Sequence, residues 1–297
     1  MFYGRKLMEE RQSEINAITN VGLGNPASDN PTQPSQYEER GPNLFKENPE
    51  LVKNIDFTKL PTHIAFIMDG NRRWANSNGK HKLEGHRAGV KALRDVVECA
   101  LDLNEIACEN NNIQNLTFYA FSKENWNRSL FEIEGLMKIF ERAAIDELMN
   151  LHKRNIRIKI IGSVEDLPGS LVERLDQMVN LTANNTGLTM HFALSYSGRW
   201  EIVKTARRLA HAVQEGKLKP DEITEDLFQK YLLTWNAPDP DLLVRTSGEM
   251  RISNFLLWQL AYTEIYVTDI YWPDFDRVRL IDAIEVFQSR TRRYGAD

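Results

Sequence analysis

The sequence predicts an α/β fold, a single domain with a six-stranded, mainly parallel sheet surrounded by helices. Three observations predict it. Six apolar, strand-like runs recur from residue 63 onward. Segments with helical spacing separate most of them. Polar and charged clusters follow the strand runs, as expected where a parallel sheet gathers its ligand-binding loops at the carboxyl ends.

The first run is the most informative: His63-Ile-Ala-Phe-Ile-Met-Asp69-Gly-Asn-Arg-Arg-Trp74. Its apolar part reads as a buried strand, His63–Met68. Gly70 permits a tight turn and close approach to a ligand. Arg72 and Arg73 offer guanidinium forks suited to phosphate, and Asp69 offers an oxygen to a divalent cation. A diphosphate site is the first expectation, although Asp-Gly-Asn is also ordinary turn chemistry after a strand. The other strand runs are Leu116–Phe121, Ile156–Ile161, Thr189–Ser195, Leu242–Arg245 and Ile265–Asp269. Between the first two, Val90, Leu93, Val96, Val97, Ala100 and Leu101 recur at helical spacing, and Ile133, Leu136, Met137, Phe140, Ala144 and Leu148 do so before the third. Further helices are expected near Ser170–Asn180, Trp200–Gln214, Glu225–Leu233 and Arg279–Arg293, with one more around Phe255–Tyr262 and a short one around Pro49–Asn54.

Residues 1–60 read as a flexible or loosely packed extension, because Asn25 to Pro42 is rich in turn formers and poor in groups to bury. Residues 61–297 read as one packed domain, because apolar periodicity is nearly continuous from Pro61 onward. The chain has 297 residues, 42% hydrophobic and 27% charged, with net charge −5. That balance does not suggest nucleic acid as a partner. The two cysteines, Cys99 and Cys108, form no ligand pattern, so a reducing compartment is expected. With no transmembrane-length apolar run and no secretory leader, a cytoplasmic location is expected.

Beyond the strands lie the chemical candidates. Arg245, Arg251 and Ser253 form a possible anion clamp, with surface arginines in a loop as the plain alternative. His86 follows Gly85 at a helix start, with Lys80, Lys82 and Arg87 nearby, where it would either donate to phosphate or be merely structural. Asn125 and Trp126 would orient and cover a ligand, or the indole would simply anchor its loop. There is neither a P-loop nor a GxGxxG fingerprint. The stripe Ile133, Leu136, Met137, Phe140 reads as core by default, with the alternative that it lines, together with Ile139, a tunnel for a hydrophobic chain.

Taken together, these segments resemble the cis-prenyltransferases, the undecaprenyl diphosphate synthase family, over about residues 61–295. The resemblance is carried by the His63–Ala75 segment, Gly85-His86-Arg-Ala-Gly89, Tyr119-Ala-Phe-Ser-Lys-Glu-Asn-Trp-Asn-Arg128, Asn184-Asn-Thr-Gly-Leu188, the run from Asp241 to Gln259, and Glu264 to Phe275, in the family's order. It implies repeated cis addition of isopentenyl diphosphate to an allylic diphosphate, usually farnesyl diphosphate, with Mg2+ assisting. By the same resemblance Asp69 is the catalytic acid and a magnesium ligand, with Glu264 a second ligand supplied across a dimer. Gly70, Asn71, Arg72, Arg73, Trp74, Lys82 and His86 would hold the allylic diphosphate. Asn125 would serve proton removal, flanked by Ser122, Lys123, Glu124, Trp126 and Arg128. Arg245, Arg251, Ile252 and Ser253 would bind isopentenyl diphosphate. Arg72 stands where many bacterial members have glycine, and Lys82 where arginine is common.

Arg292-Arg-Tyr-Gly295 resembles the family's terminal Arg-x-Gly element and favours a homodimer. A greasy product made by such a chain implies peripheral contact with a membrane surface, and the motif spelling points to a product of undecaprenyl length, a lipid carrier for cell-wall glycans. The opposing reading, a non-catalytic partner subunit, would be expected to lack Asp69 and the neighbouring arginines. Aspartate-rich trans-type synthases are excluded by the absence of any Asp-Asp pair.

Overall fold

A computed structural model describes residues 42–107 and 111–290. The expectations for residues 1–41, Cys108 and the Arg292–Gly295 element lie outside the described residues. All six strands are parallel, in the order β3-β4-β2-β1-β5-β6. They are β1 (His63–Ile67), β2 (Asn115–Ser122), β3 (Arg157–Gly162), β4 (Thr189–Tyr196), β5 (Leu242–Arg245) and β6 (Glu264–Val267).

Every residue of β1 and β5 is buried, which explains why both read as unbroken apolar runs rather than alternating ones. The pleat nevertheless divides them. Ile64 and Phe66 join one hydrophobic cluster, while Ala65 and Ile67 join another on the opposite face. Around the sheet lie α1 (Leu44–Glu47), α2 (Asn71–Ser77), α3 (Lys82–Asn104), α4 (Leu130–Lys153), α5 (Gly169–Thr182), α6 (Gly198–Gln214), α7 (Glu225–Tyr231) and α8 (Arg277–Ser289).

The packed chain begins before the expected boundary at residue 61. Phe45, Val52, Ile55 and Leu60 are all buried in the main cluster. Asn43 caps α1 and donates to the Asp102 carbonyl at 2.9 Å, and the buried Asp102 carboxylate also holds Arg277 at 2.7 Å. Four apolar residues spaced irregularly leave no periodicity for a sequence reading to detect. The expected helix at Phe255–Tyr262 is instead a series of turns. Ser253, Asn254 and Leu256 have φ of 48°, 63° and 42°, outside the helical region. Its apolar residues pack all the same: Phe255 stacks on Tyr119 with centroids 4.4 Å apart.

Sheet order fixes where a ligand can enter. From β1 the chain crosses to β2 on one side, and from β5 it crosses to β6 on the other. The carboxyl ends of β1 and β5 therefore flank the crevice at which open α/β sheets bind ligands. Asp69 follows β1, and Arg245 closes β5 in register with Ile67.

Candidate active site

At that crevice Asp69 and Arg245 meet. The Arg245 guanidinium, only 3% exposed, donates to Asp69 Oδ2 at 2.9 Å and to Ser253 Oγ at 2.9 Å, and it also bonds the Arg251 carbonyl. Asp69 Oδ1 accepts from the Gly70 N–H at 2.7 Å and lies 3.2 Å from Arg73 Nη2. Burial alone would raise the Asp69 pKa, but the Arg245 hydrogen bond, the Gly70 N–H and the nearby Arg73 outweigh it and hold the carboxyl below its usual range. Gly70 has φ +100°, and a Cβ there would sit 2.8 Å from the Tyr271 ring. The turn that aims Asp69 thus needs glycine.

Arg73 and Arg251 are both held by Glu249, Arg73 at 3.1 Å. A second cationic set surrounds Glu132, which is 4% exposed: Arg128 at 3.1 Å, Arg72 at 3.8 Å and Lys82 at 3.8 Å. His86 lies in this field. Burial first, then Arg128 and Arg72, pushes its pKa down to about 4, so the ring is neutral near pH 7. Its Nε2, the Asn71 Oδ1 and the Arg245 Nε are buried without a hydrogen-bond partner. The Asn71 oxygen packs against Gly89, where an added Cβ would lie 2.4 Å from it, while the His86 and Arg245 nitrogens belong to residues that line the cavity and leave hydrogen-bonding capacity there.

The cavity has a volume of about 930 Å³. Its lining joins Asp69, Arg72, Arg73, His86, Arg128 and Arg245 to an apolar set, Leu93, Val97, Leu136, Ile139, Phe140 and Met178 among others, and to a further polar set, Arg94, Glu98, Glu147, Asn150 and Arg154. Leu136, Ile139 and Phe140 thus line the cavity as the tunnel reading expects, whereas Ile133 and Met137 are core residues outside its wall.

The remaining expected residues divide the same way. Gly70, Asn71, Ser122, Glu124, Asn125 and Ser253 line the cavity. The Asn125 Oδ1 accepts from the Ser122 N–H at 3.1 Å, which leaves its NH2 to meet a ligand. Trp74 is not in the cavity wall. Its indole donates to Asp274 at 2.7 Å, with Lys80 over its face. Trp126 anchors its loop through Ser195 at 2.9 Å, and Lys123 pairs with Asp166 at 2.6 Å. Lys82, Arg251 and Ile252 are outside the cavity wall.

Glu264 is not brought to Asp69 within this chain. It opens β6 opposite Leu242, three residues back from the level of Arg245, or about 10 Å at 3.3 Å per residue. There it pairs with Arg290 at 2.8 Å. Among the described residues no cluster of three or more His, Cys, Asp or Glu can cage a metal. Mg2+ commonly takes one or two carboxylates and completes its shell with phosphate and water. A single ionised Asp69 beside a cationic set fits that mode.

Sequence reasoning missed Glu132 and Glu249. Ser129-x-x-Glu132 reads as a helix cap, and Ser129 does cap α4. The available signal was Arg128 four residues before Glu132, an ion-pair spacing.

A sheet-end carboxylate clamped by arginine, two cationic sets and an apolar tunnel define a diphosphate-handling α/β enzyme with a lipid-like substrate. Comparison with known proteins is specific. The family model described as "Putative undecaprenyl diphosphate synthase" matches residues 67–295. The chain is 48% identical to an isoprenyl transferase of Heliobacterium mobile over 245 residues, 82% of this chain and 91% of that one. It is 46% identical to the farnesyl-diphosphate-specific ditrans,polycis-undecaprenyl-diphosphate synthase of Pasteurella multocida, covering 81% and 97%. The crystal structure of lavandulyl diphosphate synthase from Lavandula x intermedia, in complex with dimethylallyl diphosphate, superposes with TM-score 0.76 at 37% identity, covering 81% and 99%. The chain belongs to the undecaprenyl diphosphate synthase family of prenyl-transferring enzymes.

Proposed function

We propose that this chain elongates an allylic diphosphate, with farnesyl diphosphate as primer, by repeated cis addition of isopentenyl diphosphate to a polyprenyl diphosphate of undecaprenyl length. One observation carries the reading: a single cavity of about 930 Å³ whose lining combines a cationic set around Asp69 with an extended apolar set. The cationic set suits diphosphate and the apolar set suits a hydrocarbon. The farnesyl-specific relative supports the choice of primer.

In this scheme Arg72, Arg128 and the neutral His86, which line the cavity, hold the allylic diphosphate with Lys82 adding its charge from outside the wall, while Arg245 and Ser253 hold isopentenyl diphosphate with Arg251 adding its charge in the same way. Fixed cations aimed at the departing diphosphate stabilise the charge that develops there. Asp69, kept ionised by Arg245, is the protein's oxygen donor to Mg2+. Bound with the diphosphate, Mg2+ offsets its negative charge. The Asn125 amide is not basic, so it orients isopentenyl diphosphate, and a phosphate oxygen or water takes the proton. The apolar wall keeps water from the allylic centre.

Glu264 joins Asp69 only when supplied by a second copy, which favours a homodimer. No helix among the described residues is long and apolar enough to cross a membrane, and delivery of so apolar a product suits peripheral contact with a membrane on its cytoplasmic side. The test is incubation with farnesyl diphosphate, labelled isopentenyl diphosphate and Mg2+, followed by sizing of dephosphorylated products. A ladder ending at one long product, absent in Asp69→Ala, is expected. No incorporation from any allylic primer would overturn the reading.

A further inference from the structure

We propose that Glu132 is a positioning residue: its buried carboxylate fixes Arg72, Lys82 and Arg128 as one array for the diphosphate of the allylic substrate. The inference rests on the assignment of that substrate to this half of the site.

The three cations come from three places. Arg72 lies in the first turn of α2, Lys82 opens α3, and Arg128 ends the short turn before α4. Their side chains are 49%, 45% and 27% exposed, whereas Glu132 is 4% exposed. Left alone, three long cationic side chains would repel one another and sample many rotamers. One carboxylate at their centre changes both. Its Oε1 accepts from Arg128 Nη1 at 3.1 Å and lies 3.8 Å from Arg72 Nη1, and its Oε2 lies 3.8 Å from Lys82 Nζ.

Arg72 and Arg128 line the cavity and Glu132 does not. The carboxylate therefore acts through the cations from behind. The unpartnered His86 Nε2 is an independent sign that this wall has unused hydrogen-bonding capacity. A helix cap alone would not gather cations from three elements. The other set differs: Arg245 is fixed by Asp69, Ser253 and a backbone carbonyl, so loss of Glu132 leaves it in place.

That separation supplies the test. Steady-state constants for both substrates are measured for the unaltered chain, Glu132→Gln, which keeps the shape and removes the charge, and Glu132→Asp. Binding of an unreactive farnesyl thiodiphosphate is measured by calorimetry alongside. Expected for Glu132→Gln is a rise of roughly tenfold in the allylic KM and in the analogue's Kd, by analogy with loss of a carboxylate that orients metal ligands. The isopentenyl KM stays within about twofold. Glu132→Asp restores part of the difference.

An equal rise in both KM values would reduce Glu132 to a structural residue and overturn the inference. A lower allylic KM would make it a competitor of diphosphate, with the same result. If Glu132→Gln does not fold, the smaller but equally one-sided shift in Glu132→Asp decides. If the unaltered chain makes no product, the proposed function fails, and calorimetry still reads the array: an unchanged analogue Kd in the variant overturns the inference by itself.

Discussion

The two cationic sets of the site are built in different ways. Around Asp69, the key guanidinium is Arg245, the last residue of a fully buried strand, 3% exposed and bonded to three separate partners. Around Glu132 the order is reversed: the acid is buried and its three cations are partly exposed. A strand end holds its charge rigid through the sheet. Helix starts leave long side chains free unless a counter-charge gathers them. The difference teaches that the first set is fixed by backbone register and the second by electrostatics.

The harshest test removes the hinge of the comparison. Asp69→Asn keeps the shape but leaves Arg245 buried beside a neutral amide. A fall in turnover of about 10²–10³-fold is expected, measured as label incorporated per minute. Arg245 is buried but Asp69 is 32% exposed, so the loss of stability should fall below the about 3–5 kcal/mol of a fully buried pair, and a thermal melt measures it.

Next comes the frame that seats Arg72. A Cβ on Gly85 would lie 2.0 Å from the Asn71 carbonyl oxygen, so α2 and α3 touch there without room for a methyl group. Gly85→Ala should destabilise by about 1–3 kcal/mol and shift α2. Its signature is a lowered melting midpoint together with weaker allylic-substrate binding.

A milder pair of substitutions sharpens the contrast between sets. Arg128→Ala should raise the allylic KM by roughly tenfold and spare the isopentenyl KM, and Arg251→Ala should do the reverse, each removing one charge-assisted hydrogen-bonding group. Crossed effects in a two-substrate titration would show that the sets are not assigned as proposed.

The pH dependence separates the site from the core. His63 and His191, both 1% exposed, have ring centroids 6.0 Å apart. Burial is the main cause that lowers their pKa values to about 4 and about 3. Both are neutral when folded but take up protons when unfolded below about pH 6.5. Their contribution to stability is full above that value and falls as pH drops toward 4, at up to about 1.4 kcal/mol per unit for each group. Denaturant midpoints from pH 7.5 to 5 should show the decline. His86, already neutral, should add no titration to activity between pH 6 and 8. The smallest effect is expected far from either set: breaking the exposed Arg279–Asp282 pair should change stability by less than about 0.5 kcal/mol.

Most strands were legible because central parallel strands are buried on both faces, so their composition announces them. β1 and β5 began at His63 and Leu242 as expected from the sequence. The Phe255–Tyr262 stretch was misread because positive φ carries no reliable letter: Ser253 and Asn254 just before it and Leu256 within it all adopt it. The resemblance placed Trp74 with the binding residues next to Arg73. Helical rotation by one residue turns it toward Asp274 instead.

By itself the sequence determined the order of the strands along the chain, the motifs that follow them and the family to which they belong, because periodicity and residue type are local properties. Only the tertiary structure decided that Asp69 meets Arg245 across 176 positions, that Glu264 stands at the start of the edge strand β6, opposite Leu242, and that Glu132 gathers three cations. Those are outcomes of strand order and helix packing, in which distance in space is set by the sheet rather than by separation along the chain.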